Sequence, residues 1–298
     1  MKYPKTMFNI GFRAHDFGSF NSASELANVV SEVKSPAVIQ LALNKVIPSA
    51  RKWTQWDEEY ISSIRDDLAA KGVSAAVIGC YINPVHPDKD EREQQLQRFK
   101  RSLELNKAFG CKVVGTETGS WTPKITYSPE TYEEKVFETL LNSIDFMLNQ
   151  AIKNDAICAI EPVAFPHTMC TVERTVRVLD KFQDEHLKLI FDPINLVPRL
   201  GIPELDGSYR AIPSQEAQLN YITTCLDAFK ERLCIIHCKD YILNEDGLKK
   251  GDLPVTTGVF RWDLFFKELR KRNLYVPILL ENHNPKTLKE TLATLNKF

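Results

Sequence analysis

The sequence predicts an α/β protein, a (β/α)₈ TIM barrel that takes up residues 1–298 as a single domain. Three observations predict this fold. A short β-rich run followed by an amphipathic helical pattern recurs eight times along the chain. No linker interrupts the repetition, and 298 residues of which 43% are hydrophobic suffice for one large barrel. An open, doubly wound sheet is the alternative, but its usual glycine-rich first turn, G-x-G-x-x-G, is absent.

The β-rich runs are apolar and rich in β-branched residues, as is typical of strands buried on both faces of a parallel sheet. In order they cover residues 7–12, 37–43, 75–81, 112–117, 157–163, 187–192, 234–240 and 276–282. The helical patterns cover residues 22–33, 56–70, 88–109, 128–152, 171–183, 214–230 and 261–271, and Asn284-Pro285 opens a last helix. Gly72 and Gly110 stand where glycine usually ends a helix, and Ser128-Pro129 offers an N-cap followed by a first-turn proline.

Composition and charge exclude several classes of protein. The 38 basic and 39 acidic residues give a net charge of −1, so no overall field favours nucleic acid or an anionic membrane. The seven cysteines form no C-x-x-C pair, which indicates reduced thiols rather than a disulfide framework. The first residues contain no signal-peptide core, and no stretch is apolar enough to span a bilayer. We therefore expect a soluble cytoplasmic protein without nucleic-acid or membrane partners.

Four consecutive predicted strands, the fifth to the eighth, each end in a potential metal ligand: Glu161, Asp192, His237 and Glu281. The carboxyl ends of barrel strands converge on one mouth, so these side chains should lie together. A lone buried acid usually has an arginine or backbone partner, but three grouped carboxylates would repel one another unless a cation neutralised them. The pattern therefore predicts one divalent metal. Oxygen donors with a single nitrogen suit Mn²⁺, Mg²⁺, Co²⁺ or Zn²⁺.

A family resemblance rests on the segments Glu161-Pro162-Val163, Asp192-Pro193 and His237-Cys238-Lys239-Asp240, together with Glu281. They resemble the xylose-isomerase-like TIM-barrel superfamily of sugar isomerases and epimerases, which includes ketose 3-epimerases, hydroxypyruvate isomerases and inosose dehydratases. The resemblance covers essentially the whole barrel. It implies that Glu161, Asp192, His237 and Glu281 hold the metal, and that Glu161 and Glu281 are also the catalytic acid–base pair.

The activity that this resemblance implies is isomerisation or epimerisation of a small sugar, keto-sugar or polyol derivative through an enediolate. A metal stabilises the enediolate by several kcal/mol, and each positioned acid or base typically contributes about 10²–10⁴-fold. Similar barrels are commonly dimers or tetramers, so a homodimer or homotetramer is compatible with the resemblance.

Three residues in or beside the loops after the fourth and fifth strands are assigned to substrate binding. His167 lies after the fifth strand, where similar proteins place a polar group that contacts the substrate; an exposed histidine without a role is the alternative. Glu117 ends the fourth strand, and Trp121 beside it is a candidate apolar wall against a sugar face, with a packed loop tryptophan as the alternative. Isolated histidines such as His15 and His86 lie in loops that could rim the same pocket.

Two further candidates for substrate binding follow the metal ligands in the sequence. Lys239 shares the strand face of His237 and could meet a substrate oxygen. Asn195 stands three positions after Asp192, where many relatives have a histidine. An arginine that relatives often carry after the seventh strand is also missing, although neither departure touches the metal ligands.

The region after Glu281 bears on whether the substrate carries a phosphate. The segment 282–285 lacks the glycines that a barrel phosphate site prefers, which favours an unphosphorylated substrate. Lys249-Lys250 remains a candidate anion site.

Three other functions are compatible with the same pattern. A dehydratase would use the same metal and carboxylates to expel a β-hydroxyl. A non-catalytic barrel that binds a sugar acid would need the acid–base pair broken, and both glutamates are present. An abasic-site endonuclease needs several metals, several histidines and a basic surface, and the six histidines and near-neutral charge argue against it.

Overall fold

In the computed structural model, which describes residues 8–298, eight parallel strands close into a barrel surrounded by helices. In chain order the ten strands of these residues are β1 (Ile10–Arg13), β2 (Ala37–Leu41), β3 (Val73–Gly79), β4 (Val113–Glu117), β5 (Ile157–Glu161), β6 (Leu187–Phe191), β7 (Leu233–Cys238), β8 (Asp240–Leu243), β9 (Lys249–Leu253) and β10 (Ile278–Leu280). Strands β1 to β7 pair in sequence, and β10 closes the ring between β7 and β1. The predicted (β/α)₈ barrel is confirmed. Met7, predicted to begin the first strand, lies outside the described residues.

The helices follow the predicted order, with extra short turns near the loops. They are α1 (Ala23–Val33), α2 (Leu43–Val46), α3 (Glu58–Ala69), α4 (Lys89–Glu104), α5 (Asn106–Phe109), α6 (Glu134–Lys153), α7 (Val172–Lys181), α8 (Pro193–Leu196), α9 (Gln215–Phe229), α10 (Trp262–Lys271) and α11 (Leu288–Leu295). Six helices begin at a side chain that caps a backbone N–H: Ser22, Asp57, Asp88, Thr171, Asp192 and Ser214. Gly72 and Gly110 adopt left-handed φ angles of 71° and 65° at helix ends, as predicted.

The predicted helix over residues 128–152 has a different start. Pro129–Tyr132 forms a single 3₁₀ turn, and α6 begins only at Glu134. Ser128 makes no capping hydrogen bond to the backbone, because its hydroxyl faces the Glu130 carboxylate instead.

Side chains alternate between the inside and the outside of the barrel along each strand. One small cluster of buried residues fills the inside: Val77, Ala159, Ile190, Ile235 and Leu279, from five different strands. Their chain neighbours, such as Ile236 and Leu280, belong to the larger cluster between strands and helices. The inside of the barrel is therefore a packed core. On each strand, the side chain two positions after a residue of this inner cluster lies over the carboxyl-terminal end of the barrel.

A two-stranded antiparallel hairpin, β8 and β9, follows β7 and was not predicted. The sequence does carry a signal for it, since Asp246-Gly247 lies between the two β-forming runs. Gly247 has a left-handed φ of 70°, and the Asn244 side chain accepts hydrogen bonds from the N–H groups of Asp246 and Leu248 at 3.1 and 2.9 Å.

Among residues 8–298, no helix combines the length and the apolar character that crossing a membrane requires.

Close packing between β1 and β2 leaves no room for a side chain at Gly11, and this can be tested. A Cβ atom at this position would lie 2.0 Å from the carbonyl oxygen of Val38, and backbone cannot move aside as a side-chain tip can. We expect Gly11→Ala to lower the free energy of unfolding by about 1–3 kcal/mol, measured by urea denaturation. The matched control is Gly251→Ala, whose new Cβ would make an ordinary 3.9 Å contact with Ile194 and should change stability little. Equal stability of the two variants would contradict this account of the barrel packing.

Candidate active site

Strand alternation carries the four predicted metal ligands to one place. Glu161, Asp192, His237 and Glu281 each follow, by two positions, a residue of the inner cluster. They therefore point over the carboxyl-terminal end of the barrel interior. All four are buried, and Asp192 and His237 are completely shielded from solvent.

Three of the four ligands form a compact donor cluster. One oxygen each from Glu161 and Asp192 and one ring nitrogen of His237 all lie within 4.8 Å of one another. Glu281 flanks this cluster: its Oε1 lies 3.3 Å from His237 Nδ1, and Glu161 Oε2 lies 3.2 Å from the same nitrogen. The imidazole thus stands between the two glutamates that the resemblance makes the acid–base pair.

The Asp192-Pro193 sequence explains how Asp192 is oriented. Asp192 is the N-cap of α8, and its Oδ1 accepts hydrogen bonds from the N–H groups of Ile194 and Asn195 at 2.8 and 3.1 Å. Proline suits the first helical position because it has no N–H to satisfy. With Oδ1 committed to the cap, Oδ2 is left for other partners. Among the described residues it makes an ion pair with Lys239 Nζ at 3.1 Å but no hydrogen bond.

Both nitrogens of His237 are likewise buried without a hydrogen-bond partner in the described part of the chain. Burial alone would lower the pKa of this histidine, but the Glu281 and Glu161 carboxylates outweigh it and raise the pKa to about 9. Burial raises the pKa of Asp192, and repulsion from Glu281 and Glu161 adds to the effect. A site with orphaned polar atoms and mutually repelling acids has the electrostatic character expected of a cation site.

Two cationic side chains approach the acids from the other side. Lys239 Nζ lies 3.1 Å from Asp192 Oδ2, 3.4 Å from Glu281 Oε2 and 3.0 Å from Asp252 Oδ1. Arg13 Nη1 lies 3.2 Å from Glu281 Oε2. Burial would raise the pKa of Glu281, but His237, Lys239 and Arg13 together lower it, so this carboxylate is ionised.

A cavity of about 250 Å³ opens beside the cluster. Of the predicted site residues, those that line it are Glu117, Glu161, Asn195, Lys239 and Glu281. Its size lies below the range of roughly 300–1,000 Å³ typical of drug-sized ligands, so a small molecule fits it best. His15 also lines the cavity, whereas His86 is buried and contacts Asp88.

Sequence reasoning missed several residues of this cavity: Arg13, Lys45, Tyr81, Phe165 and Asp252. Arg13 had a usable signal, because it lies two positions after the inward-facing Gly11 on β1, as Glu117 does after Gly115. Asp252 had no such signal in the sequence, because its place in the cavity depends on the β8–β9 hairpin, which was not predicted. Arg13 also supplies an arginine to a site whose expected arginine after β7 is missing.

Asn195 supports one of the predicted metal ligands as well as lining the cavity. Its Nδ2 donates a 2.6 Å hydrogen bond to Glu161 Oε1, and its carbonyl oxygen accepts from the N–H of Ala164 at 2.8 Å. One asparagine therefore fixes the rotamer of Glu161 and joins the loops after β5 and β6.

His167 is not the exposed histidine that one reading of the sequence allowed, since only 5% of it is accessible. Its Nδ1 accepts a 3.0 Å hydrogen bond from the N–H of Gly119, so the ring proton resides on Nε2, which lies 3.5 Å from Glu117 Oε2. The cavity-lining residues do not include His167, and its contacts are those of a support for Glu117. Gly119 is required here, because its φ is 67° and a Cβ would fall 2.0 Å from Asn83 Oδ1.

Trp121 packs against the main hydrophobic core, and it is not among the residues that line the cavity. Its placement matches the packed loop tryptophan of the alternative interpretation. A direct role in sugar binding remains a prediction.

Lys249 has a role different from the anion site considered above. Its Nζ donates to the carbonyl oxygens of Ile194 and Val197 at 3.0 and 2.6 Å, and burial lowers its pKa to about 8. The lysine thus satisfies the carbonyls of α8, the turn that carries Asp192 and Asn195. The unpredicted hairpin thereby braces the predicted ligands.

Comparison with known proteins identifies related barrels. A family model described as xylose isomerase-like TIM barrel matches residues 38–298. No curated protein matches the sequence.

Three solved structures have the same fold. The apo form of 3-keto-D-glucoside 4-epimerase YcjR from E. coli superposes with a TM-score of 0.70 at 14% identity, covering 98% of this chain and 100% of that one. A xylose isomerase-like TIM barrel protein from Mycobacterium smegmatis, in complex with magnesium, gives 0.68 at 16% identity over 99% of both chains. The probable 3-DHS dehydratase AsbF from Bacillus anthracis gives 0.68 at 14% identity over 97% of this chain and 99% of that one. At these identities the likeness shows the fold alone.

The buried His167 should make stability depend on pH. Burial lowers its pKa from 6.5 to about 4, so between these values the unfolded chain binds a proton that the folded chain does not. The stability that neutral His167 allows is therefore fully present above pH 6.5 and is lost as the pH falls through this window. His167→Asn keeps an acceptor for the Gly119 N–H but cannot titrate. We expect it to reduce the slope of unfolding free energy against pH by about 1.4 kcal/mol per unit within the window, measured by urea denaturation with a chelator present.

The same two proteins at pH 7.5, where the histidine is neutral in both folded and unfolded chains, provide the control for packing effects. Half-buried His15, whose pKa is also lowered to about 4, leaves a residual slope in both proteins. Parallel stability profiles of wild type and His167→Asn from pH 7.5 to 4.5 would show that His167 is not the neutral, buried group described here.

Proposed function

Because the chain belongs to the xylose isomerase-like TIM barrel family, we propose that it is a divalent-metal-dependent isomerase or epimerase of a small, uncharged sugar, keto-sugar or polyol. The observation that carries the proposal is the cluster of Glu161, Asp192 and His237, flanked by Glu281, at the edge of a small polar cavity.

The donor set fits a single divalent cation. Both nitrogens of His237 are buried without hydrogen-bond partners among the described residues, and such atoms are costly unless something coordinates them. Asp192 Oδ2 is buried as well, with an ion pair to Lys239 Nζ at 3.1 Å but no hydrogen bond among these residues. Oxygen donors with one imidazole suit Mn²⁺, Mg²⁺, Co²⁺ and Zn²⁺ alike, and one related structure contains magnesium. Glu161, Asp192, His237 and Glu281 would hold the ion. When bound, it would supply Lewis-acid stabilisation of negative charge on a substrate oxygen, worth several kcal/mol.

The chain's own carboxylates perform the proton transfers. Glu161 and Glu281 flank His237, so a substrate carbon between them can lose a proton to one carboxylate and receive a proton from the other. Return at the same carbon from the opposite face gives epimerisation. Return at the adjacent carbon gives aldose–ketose isomerisation. In both cases the intermediate is the enediolate of the substrate.

The other polar groups of the cavity orient the substrate and the two glutamates. Asn195 holds Oε1 of Glu161, while Arg13 and Lys239 hold Oε2 of Glu281, so each glutamate keeps one oxygen free of these contacts. Glu117, supported by His167, offers a further acceptor for a substrate hydroxyl. A positioned acid or base is worth about 10²–10⁴-fold in rate, which is the gain expected from this arrangement.

The charges around the cavity favour an uncharged substrate. Arg13 is engaged by Asp16 and Glu281, and Lys239 by three carboxylates. Lys45, the third cation of the lining, lies 3.8 Å from the centre of the Tyr81 ring. Each of these cations already has a partner, so none is set aside to anchor a phosphate.

Dehydration of a keto-polyol is the second candidate reaction. The same carboxylate would remove the α-proton, and loss of a β-hydroxyl would follow. Lys239 favours this candidate in one respect, since its ammonium group lines the cavity and can hydrogen-bond to the departing hydroxyl, which leaves as water with the proton that the carboxylate removed. The products distinguish the two reactions, because only dehydration lowers the substrate mass by one water.

Proton abstraction has a direct readout in solvent isotope exchange. Incubation of the metal-loaded protein with a panel of keto-sugars in D₂O should place deuterium on the carbon next to the carbonyl, detected by NMR and mass spectrometry. We expect Glu281→Gln to slow exchange by about 10²–10⁴-fold, because glutamine cannot accept the proton. Glu138→Gln, an exposed carboxylate on α6, is the control and should exchange at the wild-type rate. Full turnover by Glu281→Gln would refute the carboxylate-pair mechanism, and no exchange across the panel would favour a sugar-binding protein without catalysis.

Metal content tests the cluster itself. We expect elemental analysis to find about one divalent ion per chain, and dialysis against a chelator to abolish exchange and lower the melting temperature. At an ion concentration 100 times Kd, binding stabilises the fold by about 2.7 kcal/mol. Asp192→Asn should lose the ion, whereas Asp252→Asn, which changes a carboxylate at the cavity outside the cluster, should keep it. Wild-type protein without a stoichiometric ion after metal reconstitution would rule out the proposed centre.

A further inference from the structure

Two exposed aromatic rings lie at the mouth of the catalytic cavity. Phe165 lines the cavity and is 43% exposed, and Tyr127 beside it is 60% exposed. Their rings are stacked, with centroids 5.4 Å apart and planes inclined by 22°. We name this pair the aromatic ledge. Large apolar groups grouped on a surface commonly mark a binding site.

We propose that the aromatic ledge binds a second sugar ring, so that the substrate is a glycoside of the reacting sugar rather than a free monosaccharide. The inference rests on the proposed function, because the reacting sugar is placed beside the metal ligands. It adds the chemical class of the remainder of the substrate.

The first support is the change in surface character from the cavity to the ledge. The cavity of about 250 Å³ holds four carboxylates and three cations, which suits a single polyhydroxylated unit. Phe165 lines this polar cavity and is also part of the exposed aromatic surface outside it. A ligand larger than one sugar ring would extend from the cavity onto that surface.

The second support is chemical. A pyranose ring has hydroxyl groups around its edge and C–H groups on its faces, and those faces pack on aromatic rings while the hydroxyls keep polar partners. Arg199 provides such a partner at the ledge: its guanidinium carbon lies 5.7 Å from the centre of the Phe165 ring, and the side chain is exposed. The Tyr127 hydroxyl provides another.

The third support is that the loop beneath Phe165 is held in place. The N–H of Ala164 donates to the carbonyl of Asn195 at 2.8 Å, and that of Thr168 donates to the carbonyl of Gly119 at 2.9 Å. These bonds join the loop to the loops after β6 and β4 on either side of it. A fixed platform loses little conformational entropy on binding, which favours ligand recognition over simple surface exposure.

The test compares a ketose with its glucosylated forms. The metal-reconstituted protein is titrated by calorimetry with D-fructose and with turanose, maltulose and isomaltulose, in which glucose is attached to the O3, O4 and O6 positions of fructose. We expect at least one disaccharide to bind about 3- to 10-fold more tightly than fructose. Tyr127→Ala, at a residue outside the cavity lining, should reduce that gain and leave the affinity for fructose unchanged. Phe165→Ala also alters the cavity lining, so its effect is measured as a reduced ratio of disaccharide affinity to fructose affinity.

Tyr275→Ala is the matched control. Tyr275 is 36% exposed and precedes β10, so it lies at the end of the barrel opposite the cavity. This variant should bind all four sugars as wild type does, and thermal unfolding should confirm that all three variants are folded.

Three outcomes would overturn the inference: no disaccharide gains over fructose, the ledge variants weaken fructose as much as the disaccharide, or no sugar of the panel binds. A change of oligomeric state in the ledge variants, without any change in sugar affinity, would likewise overturn it by identifying the ledge as a contact between copies of the chain. Deuterium exchange separates this inference from the proposed function. Exchange into fructose without a gain from the second ring overturns the ledge alone, whereas a disaccharide bound through the ledge without exchange overturns the proposed reaction alone.

Discussion

The concentration of buried charge at the carboxyl-terminal end of the barrel is the constraint on which the site depends. Asp192 and His237 are fully buried, and Glu161 and Glu281 are only 3% exposed. Ionised carboxylates in such surroundings are tolerated only when they are paired or coordinate a cation. Lys239 and Arg13 offset part of the charge, and the pKa of Asp192 remains raised in their presence. The divalent ion proposed above would neutralise the remaining negative charge, so the same ion would stabilise the buried acids and take part in the proposed chemistry.

Residues outside the proposed metal ligands hold those side chains in position. Lys249 satisfies carbonyls of α8, and Asn195 joins α8 to Glu161. Asp240 plays a similar part after β7, because its Oδ1 accepts from the N–H groups of Tyr241 and Phe260 at 2.9 and 3.1 Å. These contacts tie the hairpin and the loops to the barrel. Supports of this kind decide whether a catalytic group is held within the fraction of an ångström that its chemistry needs.

The sequence was sufficient to predict the barrel and the grouping of the four candidate ligands, because both depend on periodicity. Alternation on consecutive strands implies that residues two positions past the inner core converge, and the structure brings Glu161, Asp192, His237 and Glu281 together accordingly. The predicted ends of helices were less accurate, because local capping decides where a helix begins. The 3₁₀ turn before α6 is an example. Residues such as Asp252 and Phe165 lie in the cavity only through the path of a hairpin or a loop, and no periodicity specifies that path. The burial of His167 is the same kind of case, since it depends on where Gly119 of another loop is placed.

In each carboxylate of the site the two oxygens have different partners, and this difference links the fold to the proposed reaction. Glu161 commits Oε1 to Asn195 and turns Oε2 towards His237. Asp192 commits Oδ1 to the start of α8, and its Oδ2 has the ion pair with Lys239 but no hydrogen bond among the described residues. Glu281 commits Oε2 to Arg13 and Lys239 and turns Oε1 towards His237. In all three, the protein fixes one oxygen and directs the other to a shared centre, so little reorganisation is needed when charge develops there. Helix capping, a loop asparagine and two cations achieve this by unrelated means, and their convergence on one point is the strongest structural reason to regard that point as the catalytic centre.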